Sequence, residues 1–328
     1  MNKITVADYL QKFLNCYNIT QNFMVTGGAA MHLNESFRKN KKINNCFCHH
    51  EQACTMAADG YARISNLPAS VCVTAGPGAV NALNGVYGAY VDSLPMIVIS
   101  GQVRSDNIEI VPGLRQYGDQ EINILKMVKN ITKFSVSLKA NDDFSSIFHK
   151  AISLSIDGRP GPVWIDIPID IQGMLIEDSI KDIKKLSIDY DYNTSTRIEE
   201  NIDLILENLQ QAKRPVVIAG NGVRFSDRYT DFLKIINLLS IPVLPVFNSA
   251  DLIPTDNKCF CGKPGAEGDR AGNFVQQNSD LLIIIGARMH VRQVGFNWKS
   301  FARDAKRIMI DVDPKEMNKP TLRIDFKI

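Results

Sequence analysis

Short apolar runs alternate along the first half of the chain with segments in which apolar residues recur every three or four positions. The apolar runs predict six strands, at residues 22–26, 44–48, 70–74, 96–100, 133–137 and 163–167. Helical spacing is found over residues 5–17, 29–38, 51–65, 78–90, 120–128 and 142–156. Because parallel neighbours in a sheet need a crossover connection, this alternation predicts a parallel sheet covered by helices.

The pattern stops at a polar, charged stretch, residues 173–196, which we interpret as a linker. After it, strands are predicted at residues 215–219, 242–247, 281–285 and 307–312, separated by helical segments such as 227–239. The predicted fold class is therefore α/β, with two tandem three-layer α/β/α domains that have mainly parallel sheets. The first domain spans residues 1–172, and the second, Rossmann-like in its pattern, spans residues 197–328.

The composition excludes several classes of protein. With 328 residues, 45% of them hydrophobic and 22% charged, the chain is long and apolar enough for two folded domains. A net charge of +2 gives no field that would attract nucleic acid or an anionic membrane, and the most apolar run, residues 281–287, is too short to cross a bilayer. Seven cysteines in mainly apolar stretches, and an N-terminus without a signal-peptide pattern, predict reduced thiols in the cytoplasm. We therefore expect small molecules or other subunits as partners.

Ligands of open parallel sheets bind beyond the carboxyl ends of the strands, so the residues just after each strand are candidates for a site. In the first domain these are the segments 26–29 (TGGA), 49–52 (HHEQ), 74–78 (TAGPG) and 101–102 (GQ). Three of the four contain glycine, which lets a ligand approach the backbone closely. The alternative is that the glycines only form tight strand-to-helix turns.

Glu51 opens a predicted helix, where the helix dipole and the unpaired amides of the first turn stabilise a carboxylate. The functional alternative to this structural role is a carboxylate in an apolar cleft that shares a proton with a ring nitrogen of a ligand. The neighbouring Cys46, Cys48, His49 and His50 do not indicate zinc, because side chains on a strand alternate between two faces and these four would not converge on one ion. We assign no metal ligands in this chain.

The second domain lacks a complete dinucleotide-binding motif. Residues 220–225 (GNGVRF) follow a predicted strand, but Phe225 stands where a dinucleotide fingerprint needs its third glycine. The sequence also lacks a Walker loop and a G-x-S-x-G elbow. A nicotinamide-dependent dehydrogenase is therefore disfavoured.

Two segments carry a close resemblance to one enzyme superfamily. Residues 49–65 are HHEQACTMAADGYARIS, and residues 71–103 are VCVTAGPGAVNALNGVYGAYVDSLPMIVISGQV. They resemble thiamine diphosphate-dependent enzymes of the acetolactate synthase and 2-oxo acid decarboxylase superfamily, and the resemblance extends in weaker form through the second domain. It implies a flavodoxin-like domain that binds the aminopyrimidine of the cofactor, followed by a Rossmann-like central domain. It also implies an enzyme that makes or breaks carbon–carbon bonds beside the carbonyl of a 2-oxo acid.

The resemblance implies roles for individual residues. Glu51 would contact ring nitrogen N1′ of the aminopyrimidine, so that the cofactor's own 4′-imino group can remove the proton of the thiazolium carbon. Gln120 would lie near the substrate, and Gly28 would lie near the reacting carbon. The residues implied to line the aminopyrimidine are Val25, Thr26, Thr74, Pro77 and Asn81.

Some positions depart from the acetolactate synthase pattern. Asp119 precedes Gln120 where these enzymes have an aromatic residue, and residues 286–292 (GARMHVR) lack the acidic pair of their G-x-R-F-D-D-R motif. Both differences speak against two pyruvate molecules as the substrates. The flavin-contacting segment of the family is replaced by GKPGAEGDRAGN, residues 262–273, which makes FAD the less favoured option for the central domain.

In the family, Mg²⁺ and the diphosphate are held on a third domain by a G-D-G motif and a later asparagine. Residues 118–120 (GDQ) and 268–270 (GDR) lack the final glycine, so we expect both groups to depend on a C-terminal domain absent from this chain, which alone would be inactive. Because the family places its cofactor between subunits, the resemblance implies a homodimer or homotetramer. The alternative function is a non-catalytic α/β binding scaffold related to the family.

Overall fold

The computed structural model of the chain describes residues 3–178 and 195–328. The chain divides into two compact units, one up to residue 189 and one from residue 190 onwards. Most of the predicted linker, residues 173–196, lies outside the described residues, so its boundaries stay a prediction. Among the described residues, no helix is long and apolar enough to cross a membrane.

The first unit alternates strands and helices in the predicted order. Its strands are β1 (Lys3–Thr5), β2 (Gln21–Met24), β3 (Asn44–Phe47), β4 (Ala69–Val73), β5 (Met96–Gln102), β6 (Phe134–Ser137), β7 (Pro162–Pro168) and β8 (Leu175–Glu177). Its helices are α1 (Val6–Cys16), α2 (Met31–Lys39), α3 (Glu51–Ser65), α4 (Pro77–Asn81), α5 (Leu83–Asp92), α6 (Ile124–Val128), α7 (Phe144–Ile156) and α8 (Ile169–Gln172). The six predicted strands are confirmed, with small shifts at their ends.

Six of these strands form one parallel sheet in the order β3–β2–β4–β5–β7–β6. Strand β5 pairs with β4 on one side and β7 on the other, so that Val98 lies opposite both Val71 and Trp164. Strands β4 and β5 are buried along their whole length, which explains their unbroken apolar pattern. Because all six strands run the same way, the carboxyl ends of β2, β3, β4 and β5 lie at one edge of the sheet.

Helices α1 and α7 contribute an aromatic cluster to the core of the first unit. The ring centroid of Phe148 lies 5.7 Å from that of Phe13 and 6.3 Å from that of Tyr9, and all three side chains are buried. Helix α1 begins after Thr5 because the Thr5 hydroxyl accepts a hydrogen bond from the amide of Asp8 at 3.1 Å. The predicted amphipathic helix over residues 5–17 is thereby confirmed.

Two stretches differ from the local prediction. The predicted helix 120–128 begins only at Ile124, because Asn123 caps it by accepting a hydrogen bond from the amide of Lys126 at 3.3 Å. The start of the predicted linker forms β8, which pairs antiparallel with β1 and places Leu175 opposite Thr5. Pairing between residues so distant in the chain leaves no trace in local periodicity.

The second unit repeats the α/β architecture. Its strands are β9 (Pro215–Ala219), β10 (Val243–Pro245), β11 (Leu281–Ile285), β12 (Lys306–Ile310) and β13 (Phe326–Lys327). Its helices are α9 (Ser195–Gln211), α10 (Gly222–Phe225), α11 (Tyr229–Leu239), α12 (Arg270–Gln277), α13 (Val291–Val294) and α14 (Pro314–Met317). The strands form a parallel sheet in the order β10–β9–β11–β12–β13, which confirms the predicted fold class of two tandem α/β domains.

One carboxylate is buried within the first sheet. Asp166, near the end of β7, is 3% exposed and accepts hydrogen bonds from Ser100 Oγ at 2.6 Å, Ser137 Oγ at 3.1 Å and Gln102 Nε2 at 3.3 Å. Burial raises the pKa of Asp166 to about 6, although the three hydrogen bonds favour the ionised form and act in the opposite direction. The folded chain therefore binds a proton at Asp166 more tightly than the unfolded chain does.

We expect this carboxyl group to stabilise the first unit increasingly as the pH falls. Its pKa is about 6 in the folded chain and about 3.9 in an unfolded one, so the contribution is complete below about pH 4 and is lost as the pH rises through 6. The free energy of unfolding of the wild type relative to Asp166→Asn should therefore increase by about 2–3 kcal/mol between about pH 7.5 and about pH 4. Urea unfolding measures it, followed through Trp164 with the second tryptophan removed by Trp298→Phe. A difference that stays constant with pH would contradict this expectation.

Candidate functional site

The four candidate segments lie at the edge where β2, β3, β4 and β5 end. Gly101 and Gln102 belong to β5 itself, which extends beyond its predicted end. A Cβ atom at Gly101 would lie 2.2 Å from the carbonyl oxygen of Ala29, so the end of β5 touches the loop after β2 through its backbone. The glycines at this edge therefore admit neighbouring loops as well as forming turns.

Glu51 is the first residue of α3, as predicted. The preceding residue, His50, caps this helix: its Nδ1 atom accepts a hydrogen bond from the amide of Gln52 at 3.1 Å. The Glu51 side chain is 8% exposed, and its Oε2 atom accepts a hydrogen bond from Asn81 Nδ2 at 3.0 Å. Capping is thus done by His50, and the Glu51 carboxylate is held towards the loop after β4.

Thr74, the residue after β4, lies between two glycines. A Cβ atom at Gly27 would lie 2.4 Å from Thr74 Cβ, and one at Gly78 would lie 2.8 Å from Thr74 Cγ2 and 3.0 Å from Glu51 Oε1. Larger residues at either position would displace Thr74 or Glu51. The Thr74 hydroxyl is buried and has no hydrogen-bond partner among the described residues. Such a group costs free energy unless a ligand or water satisfies it.

Gln120 reaches the same turn through its backbone. A Cβ atom at Gly76 would lie 2.6 Å from the carbonyl oxygen of Gln120, so the two loops are in direct contact. Both residues have left-handed backbone conformations, with φ of 57° at Gly76 and 62° at Gln120. This conformation is uncommon for a residue with a side chain and indicates that the surrounding contacts hold Gln120 in place.

The other predicted residues flank this cluster. The amide of Val25 donates to the carbonyl of Cys72 at 3.3 Å, which ties the loop after β2 to β4. Pro77, the first residue of α4, is exposed, and so are Thr26 and Gly28. A Cβ atom at Gly28 would meet nothing within 4 Å, so Gly28 borders open space.

Three residues that shape this site, Gly27, Gly78 and Gln102, lie within the candidate segments but were given no individual role from the sequence. Gly27 and Gly78 stand within the candidate segments, and a glycine directly beside a strand end is a signal that another loop passes close by. Gln102 carries no such signal, because its partner is the distant carbonyl of Ile122, which accepts a hydrogen bond from Gln102 Nε2 at 2.8 Å.

The cysteines near Glu51, namely Cys46, Cys48 and Cys54, are free thiols. Burial raises the pKa of the Cys48 and Cys54 thiols. Within residues 3–178 and 195–328, no group of three His, Cys, Asp or Glu side chains could hold a metal ion.

The glycines of the second unit pack against one another. A Cβ atom at Gly220 would lie 2.1 Å from the carbonyl oxygen of Gly286, and one at Gly222 would lie 2.7 Å from Gly286 Cα. The loops after β9 and β11 are therefore in backbone contact where a bound dinucleotide would place its diphosphate. This packing accounts for the glycines of residues 220–225 without a nucleotide.

A small cavity lies beside the glycine-rich segment 262–273. Its volume is about 120 Å³, and Lys263, His290 and Arg292 are among its lining residues. Pockets for larger organic ligands typically measure about 300–1,000 Å³. The cavity is smaller than this range.

Two family profiles match the chain. Residues 4–127 match the family described as "Thiamine pyrophosphate enzyme, N-terminal TPP binding domain", and residues 202–327 match "Thiamine pyrophosphate enzyme, central domain". The chain belongs to the thiamine pyrophosphate enzyme family. Thiamine pyrophosphate is a synonym of thiamine diphosphate, so the resemblance seen in residues 49–65 and 71–103 is confirmed.

Acetolactate synthases are similar to this thiamine pyrophosphate enzyme over nearly its whole chain. The "Probable acetolactate synthase large subunit" of Methanococcus aeolicus is 35% identical over 328 residues, covering 98% of this chain and 52% of that protein. The acetolactate synthase large subunit of Haemophilus influenzae is 31% identical over 327 residues, covering 97% and 54%. The chloroplastic acetolactate synthase of Arabidopsis thaliana is 31% identical over 314 residues, covering 95% and 45%. The chain thus spans about half the length of these curated relatives and is acetolactate synthase-like, which favours the enzyme interpretation over a non-catalytic scaffold.

Gly78→Ala should disturb the packing around Glu51, because the new methyl group would lie 2.8 Å from Thr74 Cγ2 and 3.0 Å from Glu51 Oε1. Overpacking of this kind costs about 1–3 kcal/mol. Gly60→Ala is the matched control, since a Cβ atom at this position in α3 meets nothing within 4 Å. That variant should be stabilised by up to about 1 kcal/mol through the helix propensity of alanine. Urea unfolding followed through Trp164 compares the two, and equal stabilities would contradict the close packing.

Proposed function

We propose that this chain binds the aminopyrimidine half of thiamine diphosphate, and that the complete protein decarboxylates or ligates 2-oxo acids. The observation that carries the proposal is the buried Glu51 carboxylate, which is held by Asn81 beside the turn that contains Thr74 and Gly78. The similarity to acetolactate synthases supports the reaction class.

The described residues fit the aminopyrimidine. The Thr74 hydroxyl is buried without a partner among the described residues, and the glycines on either side of it pack closely against its side chain and hold it in place. By the family pattern, Val25, Thr26, Thr74, Pro77 and Asn81 would line the ring, with Gly28 near the reacting carbon. Glu51 is the carboxylate that touches this group of residues.

Glu51 performs the proton transfer in this proposal. Asn81 Nδ2 donates a hydrogen bond to Glu51 Oε2. The other carboxylate oxygen, Oε1, is the one that would exchange a proton with ring nitrogen N1′. Glu51 is the first residue of α3, so its carboxyl group projects from the start of the helix beside the loop after β4. Thiamine diphosphate, when bound, supplies a thiazolium carbon that adds to the substrate carbonyl and accepts the electrons of the bond that breaks.

Gln120 is the proposed substrate contact of this chain. Its amide can both donate and accept hydrogen bonds, which suits the carbonyl and carboxylate of a 2-oxo acid. The residue before it, Asp119, is exposed and would bring a negative charge to the same loop. Because acetolactate synthases have an aromatic residue at this position, the presence of Asp119 supports a 2-oxo acid substrate other than a pair of pyruvate molecules.

The diphosphate and Mg²⁺ would be bound outside this chain. Among the described residues no side-chain group could hold a metal ion, and the relatives are about twice as long as the stretch they share with this chain. We also place the protein in the cytoplasm, which is supported by its seven free thiols.

Glu51→Gln in the complete protein should slow the exchange of the C2 proton of bound thiamine diphosphate by about 10²–10⁴-fold, because the amide cannot exchange a proton with N1′. Cofactor affinity should change little, since the glutamine side chain keeps the size and most of the hydrogen bonding of glutamate. Deuterium exchange followed by NMR measures the rate. Glu35→Gln, at an exposed glutamate of α2, is the control and should exchange at the wild-type rate. Unchanged exchange in Glu51→Gln would remove Glu51 from this role.

A second copy of the chain is the proposed partner at α3 and α5. The two helices pack against each other, and every exposed residue on them is uncharged: Ala53, Met56, Gly60, Ile64, Asn84, Tyr87 and Tyr90. Ile64 is 80% exposed and Tyr87 is 59% exposed. A surface that exposes large side chains such as Met56, Ile64 and Tyr87 without an exposed charged residue is typical of an interface. Since α3 starts at Glu51, a partner covering this face would also shield the site from water.

Ile64→Lys in the complete protein should weaken dimerisation about tenfold or more, because a two-fold interface would bury the new charge from both copies. Sedimentation velocity over a range of concentrations measures the dissociation constant. Leu238→Lys is the matched control: Leu238 is 83% exposed on α11 of the second unit, and its replacement should leave association unchanged. A wild-type protein that sediments as a monomer would refute the proposed interface.

A further inference from the structure

The loop that carries Gln120 has no regular secondary structure from Gly118 to Asn123. The Gln120 backbone has a positive φ, which costs free energy for a residue with a side chain and persists only where contacts enforce it. Specific contacts from elsewhere in the first unit must therefore set the position of this glutamine.

Three such contacts come from the ends of β4 and β5. A Cβ atom at Gly118 would lie 3.0 Å from Val103 Cγ2, and the carbonyl of Gln120 lies against Gly76. The third contact is directional: Gln102 Nε2 donates a hydrogen bond to the carbonyl of Ile122 at 2.8 Å. Gln102 is 2% exposed, so this bond is protected from competition by water.

Both the nitrogen and the oxygen of the Gln102 side-chain amide form hydrogen bonds. Nε2 donates to Ile122 O and, at 3.3 Å, to Asp166 Oδ2, while Oε1 accepts from the amide of Val103 at 3.1 Å. A rotated amide would face Asp166 and Ile122 with its oxygen, placing acceptor against acceptor on one side and donor against donor at Val103. The hydrogen-bond pattern therefore permits one orientation.

Asp166 makes this orientation obligatory. An ionised carboxylate accepts hydrogen bonds and donates none, so the amide must turn a donor towards it. Ser100 Oγ and Ser137 Oγ hold Asp166 at 2.6 Å and 3.1 Å, and Ser100 Oγ in turn accepts from Trp164 Nε1 at 2.8 Å. The chain of contacts thus runs from the interior of the sheet to the loop of Gln120.

We propose that Gln102 is a positioning residue that sets the place of Gln120 through the carbonyl of Ile122, with Asp166 fixing the orientation of the Gln102 amide. This inference deepens the proposed function and rests on it, because Gln120 acts on the substrate only there. Gln102 itself touches neither cofactor nor substrate.

Hydrogen exchange of the complete protein, without cofactor, tests the positioning directly. Gln102→Met keeps the length of the side chain but removes its donors, and it should speed amide exchange in residues 116–124 about tenfold or more while leaving β4 and α7 unchanged.

Gln276→Met is the matched control, because Gln276 is a buried, hydrogen-bonded glutamine of the second unit. It should leave the exchange of residues 116–124 at the wild-type rate. If Gln102→Met fails to fold, Gln102→Asn provides the same comparison with a shorter amide. Unchanged exchange in residues 116–124 would overturn the proposal.

A double-mutant cycle tests whether the positioning acts through Gln120. The panel of substrates is pyruvate, 2-oxobutyrate, 2-oxoisovalerate and benzoylformate, and the assay uses whichever of them the complete protein consumes. Gln102→Met should lower kcat about 10–100-fold with little change in cofactor affinity, and the loss should disappear in a Gln120→Ala background. Additive losses, or a loss of cofactor affinity alone, would overturn the proposal. The proposed function is judged separately, by C2 proton exchange in Glu51→Gln, so the two can fail independently.

Discussion

The hydrogen bond from Asn81 Nδ2 to Glu51 Oε2 is the contact on which the candidate site depends. It joins the end of α4 to the start of α3, two elements that follow different strands of the same sheet. A buried carboxylate without a donor would bear an uncompensated desolvation cost. The hydrogen bond from Asn81 offsets part of this cost, so the Glu51 carboxylate can remain inside the protein instead of turning to solvent.

Glycines have opposite consequences in the two units. In the first, Gly27 and Gly78 bring two loops close to Thr74, whose hydroxyl is left without a partner. In the second, Gly220 and Gly286 bring two loops into contact with each other. The same residue type at the same kind of strand end thus packs against a side chain in one sheet and against another loop in the other.

The buried Asp166 connects the core of the first unit to the edge of the site. It accepts hydrogen bonds from side chains of β5 and β6, and its burial raises its pKa. The same carboxylate orients Gln102, which contacts the loop of Gln120. A single interior charge therefore influences both the stability of the fold and the geometry of a proposed substrate contact.

The sequence by itself determined the α/β architecture, the succession of strands and the place of Glu51 at a helix start. It could do so because burial imposes a local period on each element, and a carboxylate beside a strand end is visible in one short segment. Only the tertiary structure decided that Asn81 holds Glu51, that Ile122 binds Gln102 and that β8 pairs with β1. These partners are separated along the chain by distances that no local pattern spans. The start of α6 was misjudged for a related reason, since the cap at Asn123 and the contact of Gln120 with Gly76 override the helical spacing of residues 120–123. The periodicity of the sequence indicates which face of a helix or strand is buried. Which other element packs against that face depends on the tertiary structure.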